Sequence, residues 1–233
     1  YAFVPDVMVD GQVYQVPFVT EEPSVVAAAS FAAKMIKRSG GFKTTIHNRQ
    51  MIGQVALYHV PDIKNAINNI QEKQQQLLEL ANQAHPSIVK RGGGARHLHA
   101  EYLNGEAEFL IVYLTVDTQE AMGANILNTM LEALKTPLEE LSGGKSLMAI
   151  LSNYATEALV TATCEIDIRF LDRNKSEALD IAKKIVLASQ FAKQDPYRAS
   201  THNKGIFNGS GTGSVNELST HTSMLTHTSH ILL

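Results

Sequence analysis

The chain has 233 residues, 44% of them hydrophobic and 18% charged, with a formal net charge of −3. It is too apolar to be disordered, it can bury a sizeable core, and its charge gives no reason to expect a nucleic-acid partner. Cys164 is the only cysteine, so no internal disulfide is expected; a reducing cytoplasm fits, and no apolar run approaches the roughly 18 residues of a membrane span.

Residues 1–19 read as extended, with a turn at Asp10–Gly11 and β-formers Val13, Tyr14, Val16 and Phe18 around it. Glu21 and Glu22 precede Pro23, which is the expected opening of a helix over Ser24–Arg38 that Gly40–Gly41 end. Its many small residues, Ala27 to Ala33, predict that something packs close to its backbone. Met51–Val60 reads as a strand, and Pro61–Asp62 opens one long helix to about Asn82. After Gly92–Gly94, Leu98–Leu103 and Ala107–Val116 read as strands joined at Asn104–Gly105. A helix over Glu120–Leu141 and a strand over Ser146–Leu151 complete the order β-α-β-β-α-β, a ferredoxin-like split unit. Leu159–Phe170 alternates like a half-buried strand, and a helix follows over Ser176–Lys193. Asp195–Gly209 is a polar, glycine-containing segment. From Gly209 to Leu233 the chain is rich in Ser and Thr, Glu217 is its only charge, and a disordered or non-native tail is expected.

Several motifs fail on their context. Gly144–Lys145–Ser146 resembles the end of a P-loop, but the first glycine would fall at Glu139, inside a helix. Gly209, Gly211 and Gly213 follow no strand, His221, His227 and His230 have no rigid frame, and no metal site is expected. His97 and His99 share one strand face and read as an exposed polar surface.

Two segments carry more. Met122–Gly123–Ala124 puts little side-chain bulk where a helix begins, so its first N–H groups either reach an anion or pack tightly on the sheet. Asp195–Gly209 concentrates Arg198, Lys204, Asn203 and Asn208. Arg198 suits a carboxylate or phosphate, and Lys204 beside Gly205 has room to reach a substrate oxygen; a polar loop capping the preceding helix is the alternative.

Thr20-Glu-Glu-Pro-Ser-Val-Val-Ala-Ala-Ala-Ser30, Glu120-Ala-Met-Gly-Ala-Asn-Ile-Leu-Asn-Thr129, Ile150-Leu-Ser-Asn-Tyr-Ala155 and Thr201-His-Asn-Lys-Gly-Ile-Phe-Asn-Gly209 resemble, in order, segments of the 3-hydroxy-3-methylglutaryl-CoA (HMG-CoA) reductases. The form resembled is the soluble bacterial class II enzyme, over residues 1–209. The resemblance implies an α+β fold in which a ferredoxin-like dinucleotide-binding domain, 47–152, is inserted into a larger α/β substrate domain, 1–46 with 153–208, incomplete here. Residues 209–233 are then an irregular tail outside the family.

It also implies a two-step reduction of HMG-CoA to mevalonate and CoA by a nicotinamide cofactor. Lys204 would stabilise the substrate oxygen, and Glu22 would hold and deliver a proton. Ser24, Asn153, Arg198 and Asn208 would line the substrate site. Glu120, Met122, Gly123 and Asn125 would contact the cofactor, with His85 near its adenosine ribose. An acid at that position would favour NADH; a histidine tolerates the extra phosphate, which leans the expectation from NADH to NADPH. The partners implied are HMG-CoA and a second copy of the chain in a homodimer. The family's catalytic aspartate and flap histidine find no counterpart, and the chain begins at Tyr1. A gene fragment of low activity is therefore expected, the alternative being a non-catalytic fragment that binds nucleotide or pairs with full-length subunits.

Overall fold

The computed structural model describes residues 2–18 and 22–210, with 206–210 described by backbone alone. The chain divides into two units, 1–46 with 160–233, and 47–159. Both are mixtures of helix and antiparallel sheet.

In the first unit, β1 (Ala2–Val9) and β2 (Gln12–Phe18) pair antiparallel around Asp10–Gly11. Both turn residues have positive φ, 47° and 84°, as a tight two-residue hairpin turn requires. α1 (Pro23–Arg38) follows and packs on β1. Ala33 and Ile36 are its buried residues, whereas Ala27 and Ala28 are exposed, so the close packing expected along its small residues is confined to its C-terminal half. β3 (Lys43–Ile46) pairs with β8 (Val160–Thr163). The strand expected to run to Phe170 therefore stops at Thr163. The reason is local: the Asp167 carboxylate accepts the Arg169 N–H at 2.9 Å and caps a 3₁₀ turn over Ile168–Phe170, where the Arg38 guanidinium lies 4.1 Å above the Phe170 ring. Hydrogen bonds from Arg169 hold the Asp167 carboxyl down at about 2.

In the second unit, β4 (Gln50–Tyr58) is central and its alternate residues Met51, Val55 and Leu57 are buried. The expected long helix is two, α2 (Ile63–Glu72) and α3 (Gln74–Ala84), broken at Lys73. At the break the Gln74 amide donates to the Leu98 carbonyl at 2.7 Å, a tie to the sheet that no periodicity reveals. α4 (Pro86–Lys90) leads to β5 (Gly94–Asn104), β6 (Glu108–Asp117), α5 (Ala124–Ser142) and β7 (Lys145–Ser152). The sheet order is β5-β6-β4-β7, antiparallel throughout. α2, α3 and α5 cover one face, burying Ile70, Leu77, Leu127, Met130, Leu131 and Leu134 against Val55, Leu110 and Leu114. Gly53 lets α5 approach: a Cβ there would lie 2.4 Å from Leu131 Cδ1.

Two further helices belong to the first unit, α6 (Lys175–Gln194) and α7 (Pro196–Ser210). The polar segment after Asp195 is thus helical. Asp195 starts it, its Oδ2 accepting the Arg198 N–H at 2.7 Å and its carbonyl the Ala199 N–H at 2.9 Å, with Pro196 at the first turn. No described helix is long and apolar enough to cross a membrane.

Candidate functional site

The sheet of the second unit gathers chemistry at one end. Register places the start of β4, the start of β5, the end of β6 and the end of β7 together there: Gln50 and Gly94 are each opposite Asp117, and Ile52 is opposite Ser152. The Thr118–Gly123 loop leaves β6 at this end and feeds α5, and Asn153 follows β7 at the same end.

Gly123 is the N-cap of α5 with φ 93°. It is buried, and a Cβ would come within 2.4 Å of Thr118 Cγ2 and 2.8 Å of Met51 Sδ. Of the two readings of its small size, close packing on the sheet accounts for the glycine. The helix consequently begins at Ala124, four residues later than the periodicity predicts, because a left-handed residue interrupts it. The Ala124 N–H points to Met122 Sδ at 3.4 Å, and Asn125 is exposed in the first turn.

Two arginines frame the loop. Arg49 Nη1 lies 2.7 Å from Glu120 Oε1 and donates through Nη2 to Gln119 Oε1 at 3.4 Å. Arg96 Nη2 lies 3.2 Å from Asp117 Oδ2. Asp117 also accepts the Gln119 backbone N–H at 2.9 Å and its amide at 3.0 Å. Burial pushes the Asp117 carboxyl up, but the Gln119 N–H and the Arg96 and Arg49 guanidinium groups outweigh it and hold the carboxyl below the ordinary aspartate value. Gly93 fits against this loop; a Cβ there would be 2.5 Å from the Asp117 carbonyl oxygen and 2.8 Å from Ile88 of α4. His85, the residue between α3 and α4, is half-buried with Nδ1 3.2 Å from Ser87 Oγ. Asn82 of α3 accepts the Ala95 N–H at 2.8 Å, tying that helix to the start of β5.

Of the residues anticipated, His85, Glu120, Met122, Gly123, Asn125 and Asn153 thus belong to one end of one sheet. Arg49, Arg96, Asp117 and Gln119 were missed. Their signal was a charged or amide side chain close to a strand end: Arg49 just before β4, Arg96 near the start of β5, Asp117 at the end of β6 and Gln119 two residues beyond it. Elsewhere, Gln74 donates to the Leu98 carbonyl at 2.7 Å and sits 3.3 Å from His97 Nδ1, while the His97 and His99 rings stack on the exposed strand face. Among the described residues no cluster of three or more His, Cys, Asp or Glu could hold a metal. A depression of ≈ 470 Å³ lined by Tyr58, His59, Ile63, Phe109 and Leu147 lies at the opposite end of the sheet.

In the first unit, Glu22 is the exposed N-cap position of α1 and accepts the Ser24 hydroxyl at 2.5 Å. Arg198 and Lys204 are exposed on α7, which rests against α1 and β2. Lys204 lies about 120° around the helix from Arg198. Asn208 is in the backbone-only stretch of α7, and Thr20, Glu21 and the tail histidines lie outside the described residues.

A family model described as hydroxymethylglutaryl-coenzyme A reductase matches residues 1–220, past Gly209 and into the Ser- and Thr-rich stretch. The 3-hydroxy-3-methylglutaryl-coenzyme A reductase of Archaeoglobus fulgidus is 38% identical over 203 residues, 87% of this chain and 45% of the relative. A probable enzyme of the same name from Borreliella burgdorferi is 31% identical over 208 residues, 88% of this chain and 47% of its own length. The class II enzyme of Streptococcus pneumoniae, solved bound to NADPH in open conformations, superposes with a TM-score of 0.84 at 68% identity, covering 89% of this chain and 56% of that one. The chain therefore spans about half the length of these relatives.

Proposed function

Because the chain belongs to the hydroxymethylglutaryl-coenzyme A reductase family, we propose that it provides the cofactor site and part of the substrate site of a reductase that converts HMG-CoA to mevalonate and CoA. The observation that carries the reading is the junction at Glu120–Asn125, where a loop held by two arginines delivers the start of α5, in a chain 68% identical to one solved with NADPH. On this reading the second unit is a ferredoxin-like dinucleotide-binding domain; its element order and antiparallel sheet support that. The first unit is the partial substrate domain.

The residues present fit a nicotinamide dinucleotide. An exposed amide, Asn125, stands in the first turn of a 19-residue helix whose N-terminal dipole favours phosphate. His85 and Ser87 add polar groups, with no acid among them, that tolerate a ribose carrying a phosphate, which favours NADPH over NADH. When bound, a reduced nicotinamide would supply one hydride to the thioester carbonyl, and after CoA leaves a second molecule would supply one to the aldehyde. Lys204 places an ammonium where negative charge develops on the substrate oxygen. Glu22, its carboxylate oriented by the Ser24 hydroxyl, holds the proton delivered at the aldehyde stage. Arg198 pairs with the substrate carboxylate, and Asn153 and Asn208 hydrogen-bond the same substrate.

Assembly as a homodimer and a cytoplasmic setting are part of the proposal. Leu187 and Phe191, 61% and 56% exposed on α6, support the first, and the lone Cys164 the second. The test is titration of the purified chain with NADPH and NADH by nicotinamide fluorescence, followed by HMG-CoA-dependent oxidation. Saturable binding, tighter for NADPH, and any turnover lost on Lys204→Ala are expected. Absence of nucleotide binding would contradict the reading.

A further inference from the structure

We infer that Arg49 is a positioning residue for the cofactor loop, acting through Glu120 and Gln119 rather than on the nucleotide; the inference rests on the assignment of that loop proposed above. Arg49 stands in the short stretch before β4, and its own backbone is fixed. Asn48 Nδ2 donates to Glu157 Oε2 at 3.1 Å, the Asn48 side-chain oxygen accepts the Arg49 N–H at 2.9 Å, and Gln50 N–H donates to the Glu157 carbonyl at 2.8 Å. From that anchor one guanidinium reaches two consecutive loop side chains, Gln119 and Glu120. Gln119 has φ 54°, a left-handed conformation that a non-glycine residue holds only when its surroundings enforce it. Its amide is gripped on both sides, as donor to Asp117 and as acceptor from Arg49. Arg96 cannot replace Arg49 here, since it is engaged with Asp117 and the Gly92 carbonyl. The planar fork of arginine serves two acceptors at once; a lysine ammonium serves them less well.

The test compares Arg49→Gln, Arg49→Lys, Glu120→Gln and the double variant Arg49→Gln/Glu120→Gln in the full chain. Without nucleotide, the amide NMR signals of 117–125 should move in Arg49→Gln and return most of the way in Arg49→Lys. Unmoved signals would overturn the inference whether or not NADPH binds. With NADPH, Arg49→Gln should bind about 3- to 5-fold more weakly, the scale of an exposed ion pair. The double variant should bind no worse than the weaker single, because both changes break one link. Additive losses, or a salt dependence that disappears with Arg49, would mean that Arg49 contacts the phosphate itself and would refute a positioning role. If the wild-type chain binds NADPH and Arg49→Gln binds equally, the inference fails while the cofactor reading stands; if the wild type binds none, that reading fails.

Discussion

Gly123 and Asp117 are two residues on which the shape of the Thr118–Gly123 loop depends. A methyl at Gly123 meets Thr118 and Met51 and must adopt φ 93°, so Gly123→Ala should destabilise the chain by about 1–3 kcal/mol, measured by urea unfolding. It should weaken NADPH binding as well, because the start of α5 shifts. The Asp117 carboxyl lies below the ordinary aspartate value in the folded chain. Its bonds therefore add stability that is fully present above pH of about 4, the unfolded value, and is lost as pH falls through the lower folded value. A carbon-detected NMR titration should place its midpoint below the unfolded value; a midpoint above it would contradict the hydrogen bonding described. The small residues at 122–124 were legible in the sequence as a helix start, with anion binding and close packing on the sheet left as alternatives. The positive φ and the contact with Met51 were not, because both arise from how β6 returns to α5 across the sheet.

At the scale of elements, the apolar periodicity of β4, β6 and α5 located the core of the second unit, since strands and helices that bury a face must show it. It failed where a side chain bonds its own backbone or a distant strand. Gln74 divides α2 from α3, and Asp167 ends the alternation after β8. α7 was the costlier miss, for Asp195–Pro196 is a helix start that its polar composition obscured. As a consequence Lys204 is carried by a helix rather than a loop. Asp195→Ala should remove that start and destabilise α7 by about 1 kcal/mol, seen as faster amide exchange over 199–205. The contact of β4 with α5 gives a second check. Gly53→Ala places a Cβ 2.4 Å from the fully buried Leu131 and should cost about 1–3 kcal/mol. An unchanged unfolding midpoint would show that α5 lies farther from the sheet than described.

For the whole molecule, family membership was legible from long motifs, while the residues that shape the site were legible only in part. The motifs named Glu120, Gly123 and Asn125; the frame that orients them, Arg49, Arg96 and Asp117, comes from three separate strand ends joined only by folding. On the proposed function, this end of the sheet receives NADPH. The most direct measurement of this is an amide NMR titration of the chain with NADPH. Shifts concentrated at Arg49, Gly93, 117–125 and the His85–Lys90 segment are expected. Shifts confined to the depression at the opposite end, around Tyr58, Ile63 and Phe109, or no saturable shifts at all, would contradict it.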